Sequence, residues 1–131
     1  MAKYIFEGDY KNKSGNVQVN LLLIHFEDEN LIHFVYSPHL DLTGYGNNLQ
    51  EAKDSFQIAF EDFIDYTLEN KTLNTVLMNL GWDLKNNFKK QKKIIAPSFM
   101  SLAVGNKYIS ELFDNYSVNT YHQEVGIPAF V

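Results

Sequence analysis

Between residues 49 and 66 the chain sets Leu49, Ala52, Phe56, Ala59, Phe60, Phe63 and Tyr66 three or four positions apart, a pattern with few structural solutions. Residues at that spacing share one face of an α-helix, so the run predicts a long helix with a broad, largely aromatic stripe. Such a stripe must be covered, and a β-sheet is the surface expected beneath it. The start is well specified. Asn48 is a good N-cap, and Glu51, three residues on, is placed to return a hydrogen bond in a variant of the capping box. The opposite face carries Glu51, Lys53, Asp54, Glu61, Asp62, Asp65 and Glu69 and reads as an acidic, solvated surface.

The strands for that sheet precede the helix. Tyr4 to Glu7 is a short β-prone run, followed by a polar loop from Gly8 to Asn16. Val17 to Phe26 and Leu31 to Tyr36 are two further β-rich runs joined by Glu27-Asp28-Glu29-Asn30, a turn of the length that connects antiparallel strands. A turn centred on Asp28 and Glu29 pairs Ile24 with His33 and His25 with Ile32. That register sends the two His side chains to opposite faces and argues against a paired-His metal site. After Ser37-Pro38, the segment through Gly46 is expected to form a short third strand, with Gly44 and Gly46 permitting unusual dihedrals.

Downstream of the long helix, Thr72 to Leu80 predicts a shorter one with Leu73, Val76, Leu77 and Leu80 on its apolar side and Gly81 as its C′ residue. Trp82 then leads into a basic connector carrying Lys85, Lys89, Lys90, Lys92 and Lys93. Ser98 caps a predicted helix to Val104, and Asn106 caps another from Lys107 to Asn115. Val118 to Ile127 reads as a strand stopped by Pro128, joining a sheet edge or a partner chain. The expected class is therefore α+β: an antiparallel sheet of three to four strands covered by a long helix, with a C-terminal helical extension and a final strand. The 131 residues are expected to form a single domain, with a core over 1–80 and the connector, short helices and last strand over 81–131.

Composition narrows the function. No Cys is present, which excludes disulfides, thiolate metal sites and a cysteine nucleophile. The longest apolar run, Leu21 to Ile24, falls far short of the ~20 residues that cross a bilayer, and no apolar segment follows Met1-Ala2-Lys3-Tyr4, so a soluble, cytoplasmic protein is expected. Every basic residue is Lys; without Arg, bidentate reading of guanine or phosphate is disfavoured. Residues 1–70 hold 4 Lys against 12 acids and residues 71–131 hold 7 Lys against 4, a split of −8 and +3. The front half suits a basic partner and repels nucleic acid.

Four His residues, at 25, 33, 39 and 122, could titrate near neutrality, and none has metal-ligand spacing. His39 beside Asp41 pairs a loop imidazole with a carboxylate, as a general base would, yet no nucleophile or oxyanion donor accompanies it. Glu61, Asp62 and Asp65 stand at helical spacing that could share a divalent cation, but they suit an interaction surface better. No residue is therefore assigned a catalytic, cofactor-binding or metal-binding role, and a non-enzyme is expected. The Lys85 to Lys93 segment, with Trp82, Phe88 and Phe99 close in sequence, offers an alternative as an RNA or single-strand nucleic-acid surface.

The order hairpin, Pro-containing loop, Gly-containing strand and capped helix resembles the HicB-like antitoxin family over about residues 19–70. The residues that carry the resemblance are the hairpin Leu21 to Tyr36, then Ser37-Pro38-His39-Leu40-Asp41, then Gly46-Asn47-Asn48-Leu49-Gln50-Glu51-Ala52. The family's Gly-Asp-Thr-x-x-Glu-Ala entry to the helix is matched at Gly46, Glu51 and Ala52, with Asn47 and Asn48 replacing Asp and Thr and keeping the cap chemistry. The resemblance implies a double-stranded-RNA-binding-like or degenerate ribonuclease-H-like unit that neutralises a small, basic, RNA-cleaving toxin, HicA, as a homodimer or tetramer. It makes His39, Asp41, Asp54, Glu61, Asp62 and Asp65 the expected partner-binding residues. Many members add a C-terminal helix-turn-helix or ribbon-helix-helix for operator DNA; residues 94–131 show neither, so DNA binding is not expected.

Overall fold

The computed structural model describes residues 17–86 and 92–128. The expected first strand at Tyr4 to Glu7 and its following loop lie outside the described residues. Among the described residues six strands and four helices follow in order: β1 (Val17–Glu27), β2 (His33–Ser37), β3 (Leu42–Gly46), α1 (Leu49–Glu69), α2 (Leu73–Asn79), β4 (Asp83–Asn86), β5 (Lys92–Ile95), α3 (Phe99–Gly105), α4 (Lys107–Asn115) and β6 (Val118–Ile127). The class is α+β. A four-stranded antiparallel sheet has the order β3-β2-β1-β6, and β4 and β5 form a separate two-stranded sheet. The last strand thus joins the sheet edge beside β1.

The described chain divides into two compact units, and the division passes through β1, α1 and β6. One comprises residues 21–60 and 98–123. Its strands alternate, so Leu21, Leu23 and His25 share a face with Val35 and Gly44, while Ile24 and Phe26 share the other with Phe34 and Tyr36. The first face is covered by α1, which packs so closely that a Cβ on Gly44 would collide with the backbone of Phe56 and lie 2.6 Å from the carbonyl of Ala52. A Cβ on Gly46 would collide with that of Glu51. Neither glycine has a positive φ, so both are required for close approach of the helix and not for unusual dihedrals. The second face is covered by α3 and α4: Ile109 and Leu112 join Ile24, Phe26 and Tyr36 in one apolar cluster.

The other unit comprises residues 61–97 together with the described parts of 1–20 and 124–131. Ile64, Leu73, Leu77, Trp82, Ile94 and Val125 are buried within it. The C-terminal ends of both α1 and α2 in this unit follow helix-termination chemistry. After α1, the amide of Lys71 donates to Leu68 O and that of Thr72 to Thr67 O; after α2, Gly81 donates to Met78 O and Trp82 to Leu77 O. These are two Schellman motifs, with Lys71 (φ 59°) and Gly81 (φ 96°) at the left-handed C′ position.

The N-caps hold as the sequence predicts. Asn48 Oδ1 accepts from the Glu51 amide at 2.8 Å, and Glu51 Oε1 accepts from the Asn47 amide at 2.9 Å, one residue earlier than the standard box. Ser98 Oγ accepts from Ser101 N and Asn106 Oδ1 from Tyr108 N. The stripe on α1 differs from the expectation at its end. The buried line is Ala52, Phe56, Phe60, Ile64 and Thr67, while Tyr66 is 68% exposed. Successive steps of four advance the line by about 40° each around a 3.6-residue helix, and the final step of three turns it back, to Thr67. Thr67 is tolerated because its hydroxyl donates to Phe63 O, 2.8 Å away.

The β1–β2 register is also corrected. Ile24 pairs with Tyr36, His25 with Val35 and Glu27 with His33. The loop is three residues long, closed by a 3.0 Å bond from Asp28 N to Ile32 O, with Leu31 at φ 65°. A three-residue hairpin loop needs a left-handed residue in its last position, usually Gly, and a Leu there conceals the turn type from sequence reading. Asp28 Oδ1 accepts from the amides of Asn30 and Ile32, both at 2.9 Å, which holds the turn in place.

Candidate functional site

The corrected register brings together two side chains expected on opposite faces. His25 and His33 lie diagonally across β1 and β2 on the face that α1 covers. His25 Nε2 and His33 Nδ1 are 2.9 Å apart, with ring planes within 8° and centroids 5.2 Å apart. The centroids are farther apart than the nitrogens by about two ring radii, so the imidazoles meet end to end in one plane and share an N–H···N bond. On the far side of His33, Nε2 lies 3.8 Å from Glu27 Oε1. With both rings neutral, His25 Nε2–H donates to His33 Nδ1 and His33 Nε2–H faces the carboxylate.

Burial lowers the His25 pKa below the ordinary imidazole value; His33 and then Lys53 reinforce this, and Glu27 opposes it. Lys53 is not on the solvated face assigned to it from the sequence. It is half-buried, with Nζ 4.8 Å from the centre of the Tyr121 ring, a cation–π contact. Among the described residues the buried Tyr121 hydroxyl has no hydrogen-bond partner, and burial raises its pKa.

The loop before β3 is closed by hydrogen bonds to Ser37. Ser37 is fully buried, the Asp41 amide donates to Ser37 O at 2.8 Å, and His39 is only 6% exposed, which leaves its ring little surface to offer a partner. Asp41, at φ 55°, accepts from the Tyr36 hydroxyl at 2.9 Å. Burial and this carboxylate push the Tyr36 pKa far above the usual phenol range, so the hydroxyl stays a donor. The turn thus buries His39 and leaves Asp41 exposed, held by the Tyr36 hydroxyl.

The remaining candidates lie on α1 and the β4–β5 hairpin. Asp54 is exposed on the first half of the helix and accepts from Gln50 Nε2. On its second half Asp62, Asp65 and Glu69 are exposed and Glu61 is half-buried, with Tyr66 exposed among them. Among the described residues, no group of three or more His, Asp and Glu side chains is arranged to hold a metal ion. In the hairpin, Lys85 pairs with Lys93 and Asn86 with Lys92. Lys89, Lys90 and Phe88 lie outside the described residues. The other proposed stacking rings are engaged: Trp82 is 3% exposed, and Phe99 packs against Phe113 with centroids 6.0 Å apart.

A cleft of about 500 Å³ opens at the turn between α1 and α2, lined by Thr67, Leu68, Lys71, Leu73 and Asn74. Among the described residues its lining sets the Lys71 ammonium and the polar Thr67 and Asn74 beside Leu68 and Leu73. No described helix is long and apolar enough to cross a membrane. Comparison with protein-family models, with characterised proteins and with solved structures finds no match.

Proposed function

We propose that the chain is a non-catalytic binding domain of the HicB-like antitoxin kind, which takes up a small, basic, RNA-cleaving protein. The observation that supports this reading is the outward surface of the second half of α1. There Tyr66 is 68% exposed, with Asp62, Asp65 and Glu69 exposed around it. An amphipathic ring set among carboxylates supplies both parts of a recognition surface: an apolar anchor to bury and a negative field to steer and orient a basic partner. The −8 charge that the sequence carries over residues 1–70 has the sign that attracts a basic partner. In the other unit Asp54 and Asp41 are exposed carboxylates, while His39 is buried and offers no contact surface.

The test uses the purified chain as bait in native lysate, with and without nuclease. Recovery of a small basic protein in both samples is expected. That protein should arrest growth when expressed alone and cease to do so when this chain is co-expressed. Asp62→Lys combined with Asp65→Lys should weaken capture at least about tenfold, the effect of reversing interfacial charge. Capture that survives the charge reversal, or a captured protein without RNA-cleaving activity, would refute the reading.

A second reading draws on the β4–β5 hairpin, whose register puts Lys85 and Lys93 at directly paired positions with Lys92 next to them. This concentration of basic charge on one hairpin supports single-stranded RNA binding. Binding would be salt-dependent and lost on changing these Lys to Glu.

A further inference from the structure

We propose that Glu27, His33 and His25 form a proton-operated latch on the β1–β2 hairpin, holding the Asp28–Ile32 turn closed until the His pair takes up a second proton. The inference rests on the geometry of the pair and does not depend on the antitoxin reading.

The end-to-end contact at 2.9 Å fixes how many protons the pair can hold. Neutral, it contains one N–H between the rings. A first added proton leaves one N–H between the rings: on His25 it enters Nδ1 and the Nε2–H goes on donating, and on His33, beside the Glu27 carboxylate, it enters Nδ1, which then donates to Nε2 of His25 in its Nδ1–H tautomer. A second added proton puts N–H against N–H and two positive rings in contact, so the bond is replaced by repulsion.

The surroundings set where that second proton is resisted. From α1, Lys53 repels a charge on His25; from β1, Glu27 attracts one. From β3, the residue paired with His33 is Gly46, which brings no side chain, and the nearby Glu51 carboxylate is occupied by the Asn47 amide. From β6, Tyr121 lies beneath Lys53 and contributes no charge at neutral pH, its pKa being raised. His25 is thus the ring that stays neutral longest. Because its folded pKa lies below the unfolded value, its contribution to stability is complete above pH 6.5 and is lost as pH falls through the lowered value.

The element biased by this event is the adjoining turn. Leu31 there is a bulky residue at φ 65°, 68% exposed, so its left-handed backbone is held by the turn's hydrogen bonds and by the closed hairpin end. Glu27 and His33 are the paired residues flanking the turn, and repulsion between the rings acts on its two stems.

The experiment is an NMR titration of the full chain labelled at the imidazole nitrogens, paired with amide exchange at residues 27–33 between about pH 7.5 and pH 5. Two macroscopic steps separated by more than about one pH unit are expected for the pair. Exchange in the turn, corrected for its intrinsic pH dependence, should rise about tenfold or more across the lower step. His25→Phe should abolish that rise. Independent titration of both rings near pH 6.5, or equal exchange in the turn at both pH values, would overturn the proposal. The wild-type titration decides it even where the variant does not fold.

Discussion

Gly44 shows how much one missing side chain can determine. It lies opposite Val35 in the sheet, and α1 rests on it so closely that any Cβ meets the backbone of Phe56 and Ala52. Backbone atoms in the middle of a helix cannot move aside as the end of a side chain can, so Gly44→Ala is expected to cost about 3 kcal/mol, at the upper end for overpacking. Urea titration checks this; a loss under about 1 kcal/mol would show that the helix lifts off without penalty. The sequence made a glycine-dependent feature visible here but assigned it to dihedral freedom, because composition cannot tell a turn from a close approach. The His pair was hidden for a related reason. Whether His25 and His33 meet depends on register parity, and parity depends on the turn, where a Leu occupies the position that a Gly would have announced.

At the scale of elements, starts were more legible than ends. Asn48, Ser98 and Asn106 are caps in the structure as in the sequence, because a short polar side chain before an apolar periodic run has few other uses. Gly81 marks the end of α2 because a left-handed C′ position, here at φ 96°, favours glycine. The end of α1 gave no such signal: its Schellman motif is built on Lys71, which holds φ 59° without a glycine. That position offers a direct test. Lys71→Gly removes the Cβ penalty of the left-handed conformation, worth about 1–2 kcal/mol, against about 0.5–1 kcal/mol of added unfolded-state entropy. A net gain of about 0.5–1 kcal/mol is expected, read as a higher denaturation midpoint with an unchanged slope. Destabilisation would mean that the Lys71 side chain, on the rim of the α1–α2 cleft, contributes more than its backbone costs.

For the molecule as a whole, the fold class followed from the aromatic stripe and the β-rich runs before it, since a stripe that wide leaves a sheet as its natural cover. The second helical cover did not, because α3 and α4 are too short to announce what they pack on; Ile109 and Leu112 find Ile24, Phe26 and Tyr36 only in three dimensions. The last strand supplies the decisive whole-chain prediction. β6 pairs with β1 in the same sheet, and Val125 and Ile127 are fully buried. Deleting residues 117–131 exposes an edge of β1 and removes two core side chains worth about 1.5–3 kcal/mol each. Against a typical total of about 5–15 kcal/mol, that loss together with the strand's hydrogen bonds is expected to abolish cooperative folding. Circular dichroism and size-exclusion chromatography of the truncated chain should show a broad, non-cooperative melt and an expanded or aggregated species. A truncated chain that melts cooperatively and elutes at half the parent's mass would instead place β6 in an interface between copies, making the sheet a shared structure and the oligomer, not the single chain, the unit that folds.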